Sequence, residues 1–202
     1  MSLNAIDWQR PWLAPLADAG RRAAARVAAG VCVADALNAL APPGVHFVPQ
    51  SALPPGMPYE RFVFETRGVP TRDNLHDFFN GLIWLHYPQA KRRLNAWQAA
   101  DIAARGVGPS RGPLRDAITV FDENGAVFVA PPELREALAA RQWRRLFVDL
   151  RPLWRQARLL LFGHALLEQL VSPRKSLTAH VYKARIAIES GANVDAWLAA
   201  DL

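Results

Sequence analysis

The sequence predicts a single α+β domain that is rich in helix and contains a small, largely antiparallel sheet. Of its 202 residues, 51% are apolar and 21% are charged, which is typical of a globular protein. Apolar residues recur with a helical period in several segments, and two β-rich runs flank an Asn-Gly turn. A chain of this length fits one domain, so we take residues 1–202 as one unit that begins with a helical segment, 1–44.

The first third of the chain alternates between helix-forming and helix-breaking segments. Residues 14–41 are rich in alanine, which predicts two short helices interrupted near Gly30. Residues 46–58 contain four prolines and a glycine and are predicted to form a surface loop. Alternating phenylalanines indicate a strand over residues 61–66. Residues 68–73 would then connect this strand to the next helix.

The rest of the chain is predicted to contain helices and one hairpin. Apolar spacing predicts a helix over residues 75–86 and a second helix, begun by a proline, over 88–104. Two β-rich runs, 117–121 and 126–130, flank the sequence Asp-Glu-Asn-Gly, which predicts a β-hairpin. The remaining predictions are helices over 132–143 and 144–154, a strand or buried helix over 159–162, a helix over 164–171, and a segment over 177–188 whose start favours a strand.

Composition excludes several classes of protein. The single cysteine, Cys32, rules out an intrachain disulfide and is typical of a reducing compartment. No apolar run reaches the roughly 18 residues that a membrane span requires. The N-terminal residues lack the basic and apolar regions of a secretory signal. We therefore expect a cytoplasmic protein that does not engage a membrane.

The chain is basic, with a net charge of +6 and a pI of about 10.2. Its basic residues cluster between residues 91 and 115 and again between 141 and 158, where few acids oppose them. Guanidinium groups match phosphate oxygens, so these arginine clusters favour nucleic acid or nucleotide as a partner. Abundant arginine and alanine are equally typical of a GC-rich genome, and basicity alone supports only non-specific binding.

One short segment, at the start of the helix predicted over 75–86, carries many chemically capable side chains. Asn74 and Asp77 are predicted to cap the helix. We predict a catalytic group in which His76 is a general base or metal ligand, Asp77 fixes its tautomer and Asn80 orients the substrate. Arg72 would bind an anion at the helix N-terminus. In the alternative interpretation Asp77 only completes the cap, Asn80 satisfies a backbone carbonyl and His76 is an ordinary surface residue.

Two further groups could carry chemistry. His164 and Glu168 are spaced i, i+4, which places an imidazole and a carboxylate on one helix face, as an acid/base or metal pair requires. The alternative is a local ion pair at a helix end. Asp122 and Glu123 could bind a divalent cation through carboxylate oxygens, although such a sequence is more often simply a turn.

A basic segment near the C-terminus completes the candidates. Lys175 and His180 could hold a phosphate or carboxylate, or could belong to an exposed basic loop. No P-loop, G-x-G-x-x-G, H-E-x-x-H, C-x-x-C or G-x-S-x-G motif is present. Cys32 has no cationic neighbour in the sequence to activate it as a nucleophile. The chemistry is therefore expected to rest on histidines and carboxylates, with a divalent metal as a possible cofactor.

Four segments together resemble the bacterial DUF3025 family. They are Y-E-R-F-V-F-E-T-R-G-V-P-T-R-D-N-L-H-D-F-F-N-G-L-I-W-L at residues 59–85, P-Q-A-K-R-R-L-N-A-W-Q at 88–98, R-D-A-I-T-V-F-D-E-N-G at 115–125 and F-G-H-A-L-L-E-Q-L at 162–170. The resemblance runs from about residue 46 to about residue 182, includes the segment P-R-K-x-x-T-A-H, and implies a family core over residues 45–188.

The family name denotes a domain of unknown function, so the resemblance implies where to look for a site and names no activity. Lys91 and Arg115 lie in its segments and join Arg72, Lys175 and His180 as candidate substrate contacts, although Arg115 could instead pair with the adjacent Asp116. The polar residues within the matching segments are His76, Asp77, Asn80, Lys91, Asn95, Arg115, Asp116, Asp122, Glu123, His164, Glu168 and His180.

We expect a small cytoplasmic hydrolase that acts on a phosphate-containing substrate, a nucleotide or nucleic acid, with Arg72 and Lys175 holding the anion. This requires His76 and His164 to lie within roughly 10 Å of each other across one pocket. One alternative is a non-enzymatic RNA- or ribonucleoprotein-binding protein that uses the arginine clusters and exposed tryptophans. Another is an accessory protein whose polar motifs only brace the fold.

Overall fold

The computed structural model describes residues 3–107, 112–184 and 193–202. Most of these residues are helical, so the helix-rich α+β class is confirmed. The helices are α1 Ala17–Ala28, α2 Val33–Asn38, α3 Tyr59–Thr66, α4 Leu75–His86, α5 Pro88–Arg105, α6 Pro113–Asn124, α7 Pro132–Ala139, α8 His164–Gln169 and α9 Val194–Asp201. The strands are β1 His46–Pro49, β2 Gly68–Thr71, β3 Gly125–Val129, β4 Arg158–Leu161 and β5 His180–Lys183.

The strands form two small sheets. β1 and β2 pair in parallel, with His46 opposite Gly68. In the other sheet β3 is central, antiparallel to β4 and parallel to β5. The prediction of a largely antiparallel sheet is therefore wrong, since one sheet is parallel and the other mixed. β1 and β2 lie in segments that were predicted as a loop and a connection. Each contains a proline, Pro49 or Pro70, which has no N–H to donate within a sheet and so argued against a strand. A two-stranded sheet tolerates them at its free edges.

The strand predicted over residues 61–66 is helix α3. In a strand, Phe62 and Phe64 would face the same side, but Phe62 is buried in the core while Phe64 is 43% exposed. Arg61 and Glu65 form an i, i+4 ion pair at 2.7 Å, as helical neighbours do. The two phenylalanines resembled a period of two only by coincidence.

The predicted β-hairpin is also wrong. Its first run belongs to α6, and the supposed turn residues form the last turn of that helix before β3 begins at Gly125. An Asn-Gly hairpin turn needs a positive φ at both residues, whereas Gly125 is extended with φ −76°. Ile118 and Phe121 pack toward the core from α6. Helical packing therefore overrides the local turn signal.

The core is centred on α4, whose Phe78, Phe79 and Ile83 are completely buried. The two predicted N-terminal helices are confirmed as α1 and α2, and α2 packs against α4 at Gly81. A Cβ at Gly81 would lie 2.2 Å from Leu37 Cδ1, so glycine is what allows this close approach. A smaller cluster around Phe128 packs beside the main core.

Several other predicted elements are found in the structure. Helices α4 and α5 match the predicted bounds closely, and residues 158–161 resolve the ambiguous apolar run as strand β4. Arg111, in the basic cluster between residues 91 and 115, and the end of the segment predicted over 177–188 lie outside the described residues. Across the described ranges, no helix has both the length and the apolar character needed to cross a membrane. The division of the chain into domains stays a prediction.

Candidate functional site

Two histidines that are far apart in the sequence meet beside a cavity. His76 lies in the first turn of α4, and His164 is the first residue of α8. Their Nε2 atoms are 3.1 Å apart and their ring centroids 4.6 Å apart. His164 is buried, with 4% of its surface exposed, and His76 is half-buried. The predicted convergence of these two imidazoles is therefore confirmed.

The partner of His76 is Glu168. Asn74 caps α4 by accepting a hydrogen bond from the Asp77 backbone N–H at 2.7 Å, as predicted, and fixes where the helix starts. The Nδ1 atom of His76 then lies 3.0 Å from Glu168 Oε2, on α8. Asp77 was predicted to fix the tautomer of His76, and Glu168 was predicted to act with His164. The structure corrects both pairings, because helix-to-helix packing rather than sequence spacing decides which groups meet.

Asp77 is instead committed to Arg72. Its buried carboxylate accepts hydrogen bonds from the Arg72 backbone N–H, Nε and Nη2 at 2.7, 2.9 and 3.1 Å. This contact fits the interpretation in which Asp77 completes the start of the helix. It also holds the more exposed Arg72 side chain at the cavity wall.

A close backbone contact positions His164. A Cβ at Gly163 would lie 2.5 Å from the Glu123 carbonyl oxygen and 2.5 Å from Gly125 N, so only glycine permits this approach. The Gly163 N–H donates to the Gly125 carbonyl at 2.8 Å. As a result His164 lies against the last turn of α6, with Nε2 3.6 Å from Glu123 Oε2 and Nδ1 3.8 Å from Asp122 Oδ2.

A buried polar network supports the site from below. Lys91 Nζ lies 2.5 Å from Asp122 Oδ1 and donates to Asn80 Oδ1 at 3.0 Å. Asn80 in turn donates to the Tyr59 hydroxyl at 3.3 Å. Lys91 is only 4% exposed. The side chain of Lys91, predicted as a substrate contact, therefore neutralises Asp122, and the amide of Asn80 is held by protein groups.

Burial sets the protonation states of this network. It lowers the pKa of His164 to about 4, against the smaller raising effect of Asp122, so the imidazole is neutral at neutral pH. Burial alone would raise the pKa of Asp122, but the charge of Lys91 outweighs it and holds that pKa below its ordinary value. The site thus presents an ionised carboxylate and a neutral imidazole side by side.

The cavity has a volume of about 680 Å³ and is lined by polar and apolar side chains in similar measure. It brings together the predicted residues Arg72, His76, Asp77, Asn80, Arg115, Asp122, Glu123 and His164. His180 lines a different cavity of about 320 Å³, and Lys175 lines neither of the two. The predicted anion pair of Arg72 with Lys175 is therefore not formed at this cavity. Asp116 is exposed and does not line the cavity.

Sequence reasoning missed five polar residues of the cavity wall: Gln50, Tyr59, Glu60, Gln98 and Thr119. Tyr59 and Glu60 begin α3, which was predicted as a strand, so no helical pattern pointed to them. Glu60 accepts a hydrogen bond from Asn95 Nδ2 at 2.6 Å, and burial raises the pKa of its carboxyl group. Gln98 lies on α5, where no sequence signal separates it from its polar neighbours.

Three side chains of the site could hold a metal ion. Within the described ranges, His76, Glu123 and His164 each offer one ligand atom, and these atoms all lie within 4.8 Å of one another. Asp122, considered with Glu123 as a cation ligand, is instead paired with Lys91.

Comparison with known proteins gives one match. A family model described as "Protein of unknown function (DUF3025)" matches residues 45–202. No curated protein and no solved structure matches the chain significantly. All residues that line the cavity of the two histidines lie within the matched region.

Proposed function

Because the chain belongs to the DUF3025 family, whose description names no activity, we propose from its site alone that it is a hydrolase of phosphate-containing substrates such as nucleotides or nucleic acids. The observation that carries the proposal is the contact of His76 with His164 at the wall of a cavity. Imidazoles oriented by carboxylates within one concave site are a recurring arrangement in hydrolytic sites, where they move protons or hold a metal ion.

Two arginines support a phosphate-containing substrate. Arg72 and Arg115 both line the cavity, and a planar guanidinium matches phosphate oxygens bidentately. Asp77 already fixes Arg72 in place. The Nε atom of Arg115 is buried and makes no hydrogen bond within the described part of the chain. An anionic ligand in the cavity would supply the acceptor that this donor needs.

The roles follow from the contacts. Glu168 accepts from Nδ1 of His76 and fixes its ring, so that Nε2 is directed toward His164 and the cavity. In the proposed reaction a water held at His76 attacks phosphorus, the phosphoester P–O bond breaks, and the leaving oxygen takes up the proton that the water loses. Arg72 and Arg115 offset the negative charge of the phosphoryl oxygens.

The test is hydrolysis by the purified chain of p-nitrophenyl phosphate, bis(p-nitrophenyl) phosphate, nucleotides and short RNA. We expect activity on at least one substrate class, and we expect His76→Gln to lower kcat/KM by about 10²–10⁴-fold. The matched control is His46→Gln, since His46 is exposed on β1 and does not line the cavity. Inactivity of the unaltered chain on every substrate would contradict the proposal. So would a His76→Gln variant as active as the unaltered chain.

A specific observation favours a second candidate function, the binding of single-stranded RNA. Trp143, Phe147 and Trp154 form a stack with ring centroids 6.5 and 5.6 Å apart. Trp143 and Phe147 are 54% and 55% exposed, and four arginines, at positions 144, 145, 151 and 155, lie in the same segment. Exposed aromatic rings among arginines are typical of surfaces on which bases stack.

RNA binding would be measured by fluorescence anisotropy across a salt series. We expect affinity to fall steeply as salt rises, and the double variant Trp143→Ala/Phe147→Ala to bind about 1–3 kcal/mol more weakly for each stacked base lost. His76→Gln should bind like the unaltered chain. Salt-independent binding, or no loss in the aromatic variant, would rule out this surface.

A further inference from the structure

We propose that His76, His164 and Glu123 bind one divalent transition-metal ion through the two Nε2 atoms and one carboxylate oxygen. The inference deepens the proposed function and rests on it in so far as the ion serves hydrolysis. The binding itself is measured without any substrate.

The distances fit shared coordination. The two Nε2 atoms are 3.1 Å apart, His164 Nε2 is 3.6 Å from Glu123 Oε2, and the three ligand atoms lie within 4.8 Å of one another. Two nitrogens that are each about 2.1 Å from one metal lie roughly 3.0–3.4 Å apart at angles near 90–110°. Only small movements would bring the carboxylate to the same point.

The carboxylates on the far side of the rings point to the same conclusion. Glu168 Oε2 lies 3.0 Å from Nδ1 of His76, and Asp122 Oδ2 lies 3.8 Å from Nδ1 of His164. The hydrogen bond to Glu168 places the hydrogen of His76 on Nδ1, which leaves the lone pair on Nε2. The Asp122 carboxylate is too far from His164 for a hydrogen bond, but its negative charge favours the same tautomer there. Both lone pairs then face each other next to the Glu123 carboxylate. Three electron donors that converge in this way form a site that a cation between them would stabilise.

The donor set selects the class of ion. Two imidazole nitrogens with one carboxylate oxygen suit Zn²⁺, Co²⁺, Mn²⁺ or Fe²⁺, whereas Mg²⁺ and Ca²⁺ prefer oxygen ligands throughout. Three protein ligands beside an accessible cavity are typical of catalytic sites, which keep a position for water or substrate. When bound, such an ion lowers the pKa of a coordinated water.

The test is titration of the untagged chain, freed of metal with a chelator, with Zn²⁺ by calorimetry and with Co²⁺ by visible absorption. We expect one ion per chain, and Mg²⁺ should not compete. Glu168→Gln should weaken binding about 10–100-fold, because Glu168 orients a ligand. His76→Gln and Glu123→Gln each remove a ligand and should weaken it more. The matched controls are the exposed His46→Gln and Glu133→Gln, which should bind like the unaltered chain.

The inference would be overturned if the unaltered chain bound no stoichiometric Zn²⁺. It would also be overturned if His76→Gln and Glu123→Gln bound Zn²⁺ as tightly as the unaltered chain. Circular dichroism establishes whether each variant is folded. If a variant that removes a ligand does not fold, Glu168→Gln supplies the test, because the Glu168 side chain is only half-buried. Metal binding without hydrolysis would overturn the proposed function and sustain this inference. Hydrolysis by a chain that shows no stoichiometric metal binding would overturn this inference and sustain the proposed function.

Discussion

Lys91 shows how single buried charges hold the site together. Its ammonium group lies between Asp122 and Asn80 and also 5.3 Å from the centre of the Trp84 ring. Asp122 in turn faces His164 from the last turn of α6. A buried charge pair of this kind contributes little net stability, but the loss of one partner leaves an uncompensated charge.

We expect Lys91→Met to lower the free energy of unfolding by about 3–5 kcal/mol, because Asp122 would then be a buried and unpaired carboxylate. The double variant Lys91→Met/Asp122→Asn should recover most of that loss. Urea denaturation measures both, with Lys183→Met on the exposed side of β5 as the control. A Lys91→Met variant as stable as the unaltered chain would contradict the assignment.

Glu60, a carboxyl group in the cavity wall, gives a prediction about pH. Burial raises the pKa of its carboxyl group above the ordinary value of 4.5, so the folded state holds its proton more tightly than the unfolded state does. The contribution of Glu60 to stability is therefore complete below about pH 4.5 and is lost as the pH rises through its raised pKa.

In Glu60→Gln no carboxyl group titrates, so this loss of stability with rising pH is absent. The amide oxygen of the glutamine can still accept the hydrogen bond from Asn95. We expect the stability of the variant relative to the unaltered chain to increase from pH 4.5 upward and then to level off. Thermal melting at a series of pH values measures the difference. A constant difference across the range would show that the carboxyl group titrates normally.

At the scale of elements, the site depends on three helices, α4, α6 and α8. The sequence was sufficient to predict α4, because Asn74 and Asp77 form a local cap and the apolar spacing is regular. It was not sufficient for α6, where an Asn-Gly pair imitates a hairpin turn. The contact of α8 with α6 depends on Gly163, and nothing in the local pattern distinguishes a glycine of close approach from a glycine that simply ends a strand.

Gly163→Ala tests this contact. The new Cβ would lie 2.5 Å from two backbone atoms, so α8 must move away from α6 and take His164 with it. We expect a loss of about 1–3 kcal/mol in stability, as for other overpacked positions, together with weaker Zn²⁺ binding.

The matched control is Gly112→Ala, where the nearest atom to the new Cβ is 3.7 Å away. This variant should behave like the unaltered chain in both measurements. Unchanged stability and unchanged Zn²⁺ binding in Gly163→Ala would mean that the helix junction does not set the site.

At the scale of the whole molecule, the N-terminal helices α1 and α2 lie outside the family match but complete the core of the matched region. The match begins at residue 45, yet Leu37 of α2 is completely buried. Asn38 donates to and accepts from the Phe47 backbone at 2.8 Å, and the Val33 N–H donates to Asp73 Oδ1 at 2.7 Å. Residues before the match thus satisfy polar groups within it.

A fragment of residues 45–202 is therefore expected to lose the cooperative thermal transition of the full chain, because α4 would expose the surface that α2 covers. Circular dichroism and size-exclusion chromatography measure this. Leu37→Ala in the full chain provides a milder comparison, with an expected cost of about 2–5 kcal/mol. A fragment that melts as cooperatively as the full chain would contradict the role given to the N-terminal helices.

The same scale explains why the site could be predicted only in part. His76, His164 and Glu168 were each recognisable from local spacing, and they do meet. Their pairing was not recognisable, since Glu168 contacts a residue 92 positions away rather than its helical neighbour. Lys91 and Asn80 were predicted to face a substrate because sequence shows residue type and helix face, while the depth of a side chain depends on elements that pack from elsewhere.

The central claim is that two imidazoles and the Glu123 carboxylate form one metal-binding site at the cavity. Its most direct test is a crystal structure of the Zn²⁺-loaded chain with anomalous diffraction data collected at the zinc edge. We expect one strong peak within about 2.0–2.2 Å of the Nε2 atoms of His76 and His164 and of a Glu123 oxygen. A peak bound by other residues, or rings of His76 and His164 that lie apart with no peak between them, would contradict the account.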